Sequence, residues 1–158
     1  MILDGKALAA KIKQELKNEV ENFGREISLA VVLVGNDPAS EIYVRNKTND
    51  CKEIGVKSLE YRLSEETTQA ELMALVNKLN DDPSVDGILV QFPLPKHLDE
   101  AEVIRTISPQ KDVDGFSKEN IGGLLVGDEN AFVSCTPAGA LELIKSSGIE
   151  IQGKQAVV

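Results

Sequence analysis

The chain has 158 residues, 42% hydrophobic and 27% charged, with acidic residues exceeding basic ones 26 to 17 for a formal charge of −9. That length bounds one ordinary domain with a sizeable core, the composition argues against disorder, and the acidic balance disfavours nonspecific binding to a phosphate backbone. Two cysteines and one histidine exclude a disulfide scaffold and a zinc finger, and the longest apolar run, Leu29 to Val34, is far shorter than the ~20 residues of a membrane helix. Asp4 and Lys6 interrupt any signal-like start, so a reduced, cytoplasmic setting is expected.

From Asp4 to Phe23, apolar residues recur at Leu8, Ile12, Leu16, Val20 and Phe23, predicting an amphipathic helix that Gly24 stops. Leu29 to Val34 is apolar on consecutive residues, the pattern of a strand covered on both faces. Gly35-Asn36 turns the chain, Asp37 is an N-cap, and Pro38 opens a helix expected to reach Ile54 before Gly55. Val56 to Leu63 alternates late, with Leu59, Tyr61 and Leu63 on one face of a more exposed strand. Thr67 to Asn80 carries Leu72, Leu75, Val76 and Leu79 at helical spacing, and Gly87 to Phe92 reads as a third strand that Pro93 and Pro95 end. Ala101 to Ile107 reads as a short helix, Pro109 to Phe116 as a polar loop, and Thr136 to Ser147 as a further helix. Lys154 to Val158 opens another strand-like run, so the sequence is expected to end inside a longer design.

This alternation predicts an α/β fold: a three-layer domain with a mainly parallel sheet covered by helices on both faces. In such sheets ligands bind outside the carboxyl ends of the strands. Two segments arrive there, Gly35 to Ser40 with its helix, and Gln91 with Phe92-Pro93-Leu94-Pro95. Tyr43 and Lys47 are four apart, neighbours on one helical face. An aromatic ring beside a cation, near the Gln91 amide, suits a flat heterocycle and proton transfer upon it, because burial disfavours the ammonium form and makes a lysine a better base. The plainer alternative is a packed Tyr43 and a solvated Lys47. In Lys111 to Phe116, Asp112 and Asp114 flank Val113 before Gly115; one carboxylate would face ligand N–H donors while the other caps local backbone, or both form a solvated turn.

Other features are set aside. Gly148 to Lys154 lacks the magnesium-binding Ser or Thr of a phosphate loop, and no G-x-G-x-x-G is present. Cys135 near a helix start and the lone His97 make a weak case for a nucleophile pair, and Cys51 reads as a small buried hydrophobe. No metal site is expected.

The ordered set of Gly35 to Ser40, Tyr43-Val44, Lys47, Val90 to Pro95, Lys111 to Phe116, Thr136-Pro137-x-Gly139 and Gly153-Lys154 resembles the bifunctional methylenetetrahydrofolate dehydrogenase/methenyltetrahydrofolate cyclohydrolase family, in its N-terminal, folate-binding half. The resemblance implies residues 1–147 as the catalytic domain and 148–158 as a linker and the first strand of a Rossmann-type NAD(P)-binding domain. It implies NADP-dependent oxidation of 5,10-methylenetetrahydrofolate to the methenyl form and hydrolysis to 10-formyltetrahydrofolate. NADP would be the cofactor (NAD in some members), with no cofactor-binding residue within this chain. Lys47 would be the catalytic lysine and Tyr43 would stack on the folate. Gln91 would keep Lys47 in a useful protonation state, Asp114 would accept from the pterin nitrogens, and the backbone around Val90 and Phe92 would line the pocket. Phe92 stands where leucine is more usual, and Asn49 where a second basic residue often follows the lysine.

The partners so implied are tetrahydrofolate one-carbon derivatives, with neither nucleic acid nor membrane. The intact enzyme would be a cytoplasmic homodimer serving purine biosynthesis, and the 158-residue chain a monomer without dehydrogenase activity. Two alternatives stay open: a non-catalytic folate-binding fragment, which keeps Tyr43, Gln91 and Asp114, and a flavodoxin-like nucleotide-binding domain, which is indifferent to Lys47.

Overall fold

The computed structural model describes residues 2–157. Its elements, in chain order, are α1 (Gly5–Asn22), β1 (Ser28–Val34), α2 (Pro38–Ile54), β2 (Lys57–Leu63), α3 (Gln69–Asp81), β3 (Gly87–Val90), α4 (Glu100–Thr106), α5 (Lys118–Val126) and α6 (Cys135–Lys145). The three strands form an open parallel sheet in the order β2-β1-β3. Ser28 to Val34 register with Lys57 to Leu63 on one side, and Leu29 to Val32 with Gly87 to Val90 on the other.

Alternation along β1 divides the core in two, because successive strand side chains point to opposite faces. Ala30, Val32 and Val34 pack with Leu72, Val76 and Leu79 of α3 and Val103 of α4. Val31 and Leu33 pack with Val44 of α2 and Leu89 of β3. Every residue from Ala30 to Val34 is at most 4% exposed, and burying each aliphatic side chain is worth roughly 1.5–3 kcal/mol. The unbroken apolar run is therefore what a centre strand with helices on both faces demands, and the expected three-layer α/β architecture is present. On the edge strand β2, Leu59, Tyr61 and Leu63 turn toward the α3 side, as their alternation predicts.

The caps of α2 fall where expected. Asp37 accepts the Ser40 N–H at 2.8 Å, Pro38 opens the first turn, and Gly55 ends the helix at φ 88°. Thr68 and Glu71 close a capping box at the start of α3.

Elsewhere the structure departs from the expected pattern. No residue of α1 is buried; the helix lies against α2, with Lys13 Nζ 2.6 Å from Asp50 and 2.9 Å from Glu53. Its apolar stripe makes an outer helix–helix seam, and Leu16 and Phe23 remain exposed. β3 stops at Val90, although the Gln91 N–H still donates to Val32 O at 2.9 Å, and the Phe92–Pro93 peptide is cis. The polar loop from Pro109 to Phe116 touches the sheet once, through a parallel bridge between Ile88 and Asp112.

Helix α5 was not expected. Gly122 and Gly123 dilute its helical signal, yet Ser117 caps one end and Gly127, at φ 77°, the other. Residues 154–157 adopt no regular structure, and Val158, the last of the expected strand run, lies outside the described residues. Among the described residues, no helix is long and apolar enough to cross a membrane.

Candidate active site

The chain leaves β1 toward β2 on one side, while β3 lies on the other. The segments emerging from β1 and β3 therefore diverge, and a crevice opens outside their carboxyl ends. One wall is α2. Its Val44 is fully buried against the sheet, which puts the half-buried Lys47 one turn further along the inward side; Tyr43 stands 61% exposed on the same helix. The other wall begins at Gln91, which shares the parity of Leu89 and so faces α2 rather than α3. Lys47 Nζ donates to Gln91 Oε1 at 3.4 Å. The Gln91 Nε2 donates to the Phe92 carbonyl at 2.7 Å, so its amide is oriented with the oxygen toward the lysine.

The third component is the loop from Lys111 to Ser117. Lys111 Nζ donates to the carbonyls of Leu79, Asn80 and Asp82 at 3.0, 2.8 and 2.7 Å, which fastens the loop to the end of α3. Asp112 is buried and accepts N–H groups from Gly115 and Ser117, while Asp114 is half-buried beside Lys47. Burial pushes the Asp114 carboxyl above the usual carboxylate range; the Lys47 ammonium draws it down, and the Asp112 charge pushes it up again. The two carboxylates are thus held differently: Asp112 caps local backbone, and Asp114 stands half-buried beside Lys47. Gly115 is required by geometry: at φ +67° its Cβ would sit 2.6 Å from the Phe132 carbonyl oxygen.

Lys47, Gln91 and Asp114 thus come together, with Tyr43 at their rim. Val90 and Phe92 turn their side chains to the opposite face of the sheet, Val90 into the α3 core and Phe92 against that core and Phe116, with ring centroids 6.4 Å apart. Toward α2 these two residues offer backbone only. His97 Nε2 lies 2.9 Å from Thr67 O, whereas Cys135 Sγ lies 3.8 Å from Val113 O, so the two hold different partners. Cys51 is buried, and burial pushes its thiol up. Cavities of about 770 and 350 Å³ open beside Asn36 and Glu65 at the same sheet edge, and neither is lined by Lys47 or Asp114.

A dinucleotide cofactor needs a glycine-rich strand-to-helix turn with free backbone donors for its pyrophosphate. The turn between β1 and α2 does not fit. Its Asp37 carboxylate already takes the Ser40 N–H, and the backbone donors around it hold that carboxyl below its usual range. Gly122 and Gly123 lie inside α5, and Gly127 caps its end. Neither the turn between β1 and α2 nor the glycines of α5 therefore supply such a turn.

An open parallel sheet with its crevice at the switch point, walled by a lysine-bearing helix, defines an α/β domain of the ligand-binding, doubly wound kind. Residues 3–114 match the model of the tetrahydrofolate dehydrogenase/cyclohydrolase catalytic domain, and the chain belongs to that family. It is 56% identical to the bifunctional protein FolD of Acetivibrio thermocellus over 160 residues, covering 99% of this chain and 56% of the relative. The solved bifunctional FolD of Campylobacter jejuni superposes with a TM-score of 0.93 at 50% identity, covering 98% of this chain and 56% of that one. The Trypanosoma brucei methylenetetrahydrofolate dehydrogenase-cyclohydrolase, solved complexed with NADP cofactor and inhibitor, gives a TM-score of 0.92 at 34% identity over 98% of this chain and 54% of that one. The chain spans about half the length of the curated relatives it matches.

Proposed function

We propose that the chain carries the folate site and the catalytic lysine of an enzyme that oxidises 5,10-methylenetetrahydrofolate to the methenyl form and hydrolyses that to 10-formyltetrahydrofolate. The observation that carries this reading is the cluster in which Lys47 Nζ lies 3.4 Å from Gln91 Oε1 with the half-buried Asp114 carboxyl beside it. The methenyl carbon is already cationic, so it needs a positioned water and a route for protons. Water bonds to that carbon and loses one proton to Lys47, which takes it up as the unprotonated amine. As the bond from carbon to N5 of the folate breaks, the second proton of the water reaches N5, leaving the formyl group on N10. Gln91 holds the lysine Nζ in place, the exposed Tyr43 ring offers a stacking surface, and Asp114 accepts N–H groups from the edge of the pterin.

NADP is supported as the oxidant by the trypanosome relative. No hydride step is assigned to residues of this chain. In the same reading residues 1–147 are the catalytic domain and 148–158 a linker and first strand of an NAD(P)-binding domain. The intact enzyme is a cytoplasmic homodimer in one-carbon metabolism, supplying purine biosynthesis. The test is the loss of methenyltetrahydrofolate absorbance with this chain, with its Lys47→Met variant and without protein. Saturable acceleration that vanishes in the variant supports the reading. Folate binding without acceleration reduces the chain to a binding module, and no folate affinity at all refutes the assignment.

A further inference from the structure

Asp112 is the buried charge that the chemistry of Lys47 does not use. Its residue is 4% exposed, and its carboxylate is met by N–H groups: Gly115 at 3.1 Å, Ser117 at 2.7 Å and the Asn120 Nδ2 at 3.1 Å. Asn120, itself 5% exposed, extends that hub to other segments. Its Nδ2 also donates to Pro109 O at 3.0 Å, and its Oδ1 accepts the Phe132 N–H at 3.0 Å. One side-chain amide therefore ties together the start of the loop, its buried carboxylate and the strand of chain before α6. From that last segment Ser134 Oγ donates to the Asp114 carbonyl at 2.8 Å, and Phe132 O closes the open side of Gly115. The backbone at Asp114 is thus held through its own carbonyl and through the residues on either side of it.

Such control matters for a carboxylate that must meet two N–H donors at once. A bidentate contact fixes the plane of both partners, and hydrogen bonds weaken steeply as they bend. We propose that Asn120, acting through Asp112 and the 132–134 segment, is a positioning residue that aims the Asp114 carboxylate at an amino group and a ring N–H of the ligand, and so sets selectivity for a 2-amino pterin edge. This rests on the reading of Asp114 as the ligand acceptor.

The experiment compares the affinity of this chain for folate with its affinity for the analogue lacking the 2-amino group. The wild type prefers folate by about 10- to 100-fold, the worth of one hydrogen bond to a charged acceptor. Asp114→Ala brings the ratio near one. Asn120→Ala lowers it by about fivefold or more, with affinity for the analogue nearly unchanged, and has no further effect on the ratio in the Asp114→Ala background. Equal weakening of both ligands by Asn120→Ala means a merely structural role and overturns the proposal. Should Asn120→Ala fail to fold, Ser134→Ala, which removes only the hydroxyl on the Asp114 carbonyl, decides by the same ratio. If Asp114→Ala leaves the ratio unchanged, the ligand-acceptor reading itself fails, and this inference falls with it.

Discussion

Lys111 and Lys47 sit in different settings, and replacing each by methionine separates them. Lys111 Nζ donates to Leu79, Asn80 and Asp82 carbonyls at 3.0, 2.8 and 2.7 Å, so it serves the last turn of α3, whose carbonyls have no partner within the helix. A hydrogen bond from a charged donor is worth about 1.5–3 kcal/mol, and a cation at a helix carboxyl end adds about 0.3–1 kcal/mol. The three bonds share one ammonium, and some of the freed carbonyls regain water, so they do not sum. A net loss of about 2–3 kcal/mol is expected for Lys111→Met, which keeps the apolar stem. At about 2–4 °C per kcal/mol for a chain of this size, the melting temperature falls by about 4–12 °C. Thermal unfolding followed by circular dichroism measures it, with Lys47→Met beside it. That second variant loses a 3.4 Å contact to Gln91 and should melt within about 2 °C of wild type. If Lys111→Met melts no lower than Lys47→Met, water satisfies the α3 carbonyls as well as the lysine does, and the anchoring role is refuted.

Two further outcomes follow from the loop. Folding raises the Asp114 carboxyl above its unfolded value, so its contribution to stability is present at low pH and lost as pH rises through the raised value. Asp114→Asn should therefore melt above wild type at pH 7, with the gain vanishing below about pH 4, where the unfolded carboxyl is protonated too; a constant gain across that range would contradict burial as the cause. Gly115→Ala should be destabilised by about 2 kcal/mol or more, since a left-handed conformation alone costs about 1–2 kcal/mol and its Cβ meets Phe132 O at 2.6 Å. Denaturant unfolding and folate titration should both register that change, and a variant as stable as wild type would mean that the loop and Phe132 are not held in contact.

The α/β layering is legible because β1 presents both of its faces to apolar cover and because α2 carries its own start and stop in Asp37, Pro38 and Gly55. Tyr43, Lys47 and Gln91 are legible as a group for the same reason: strand parity and helical spacing fix their directions. What local pattern cannot supply is the hub beyond them. Asn120 and Ser134 are 8 and 22 residues from Asp112 and lie outside any periodic face that would mark them, so their pairing with the loop is a product of tertiary closure. Helix α5 escaped for a local reason, because two adjacent glycines outweigh the cap signals of Ser117 and Gly127. The stripe on α1 was visible, but periodicity does not say whether a helix lies on a sheet or on another helix.

Val44 ties α2 to the core face within one turn of both Tyr43 and Lys47, while Asp112 and Asn120 hold the opposite side of the crevice. A ligand bound there as proposed would meet walls that are already built, and the exposed Tyr43 ring would be among the side chains with freedom left to lose. Immobilising one side chain costs about 0.5–1.5 kcal/mol, whereas ordering a six-residue loop would cost about 6–12 kcal/mol. Binding should accordingly carry a small entropic penalty, part of it in that aromatic rotor.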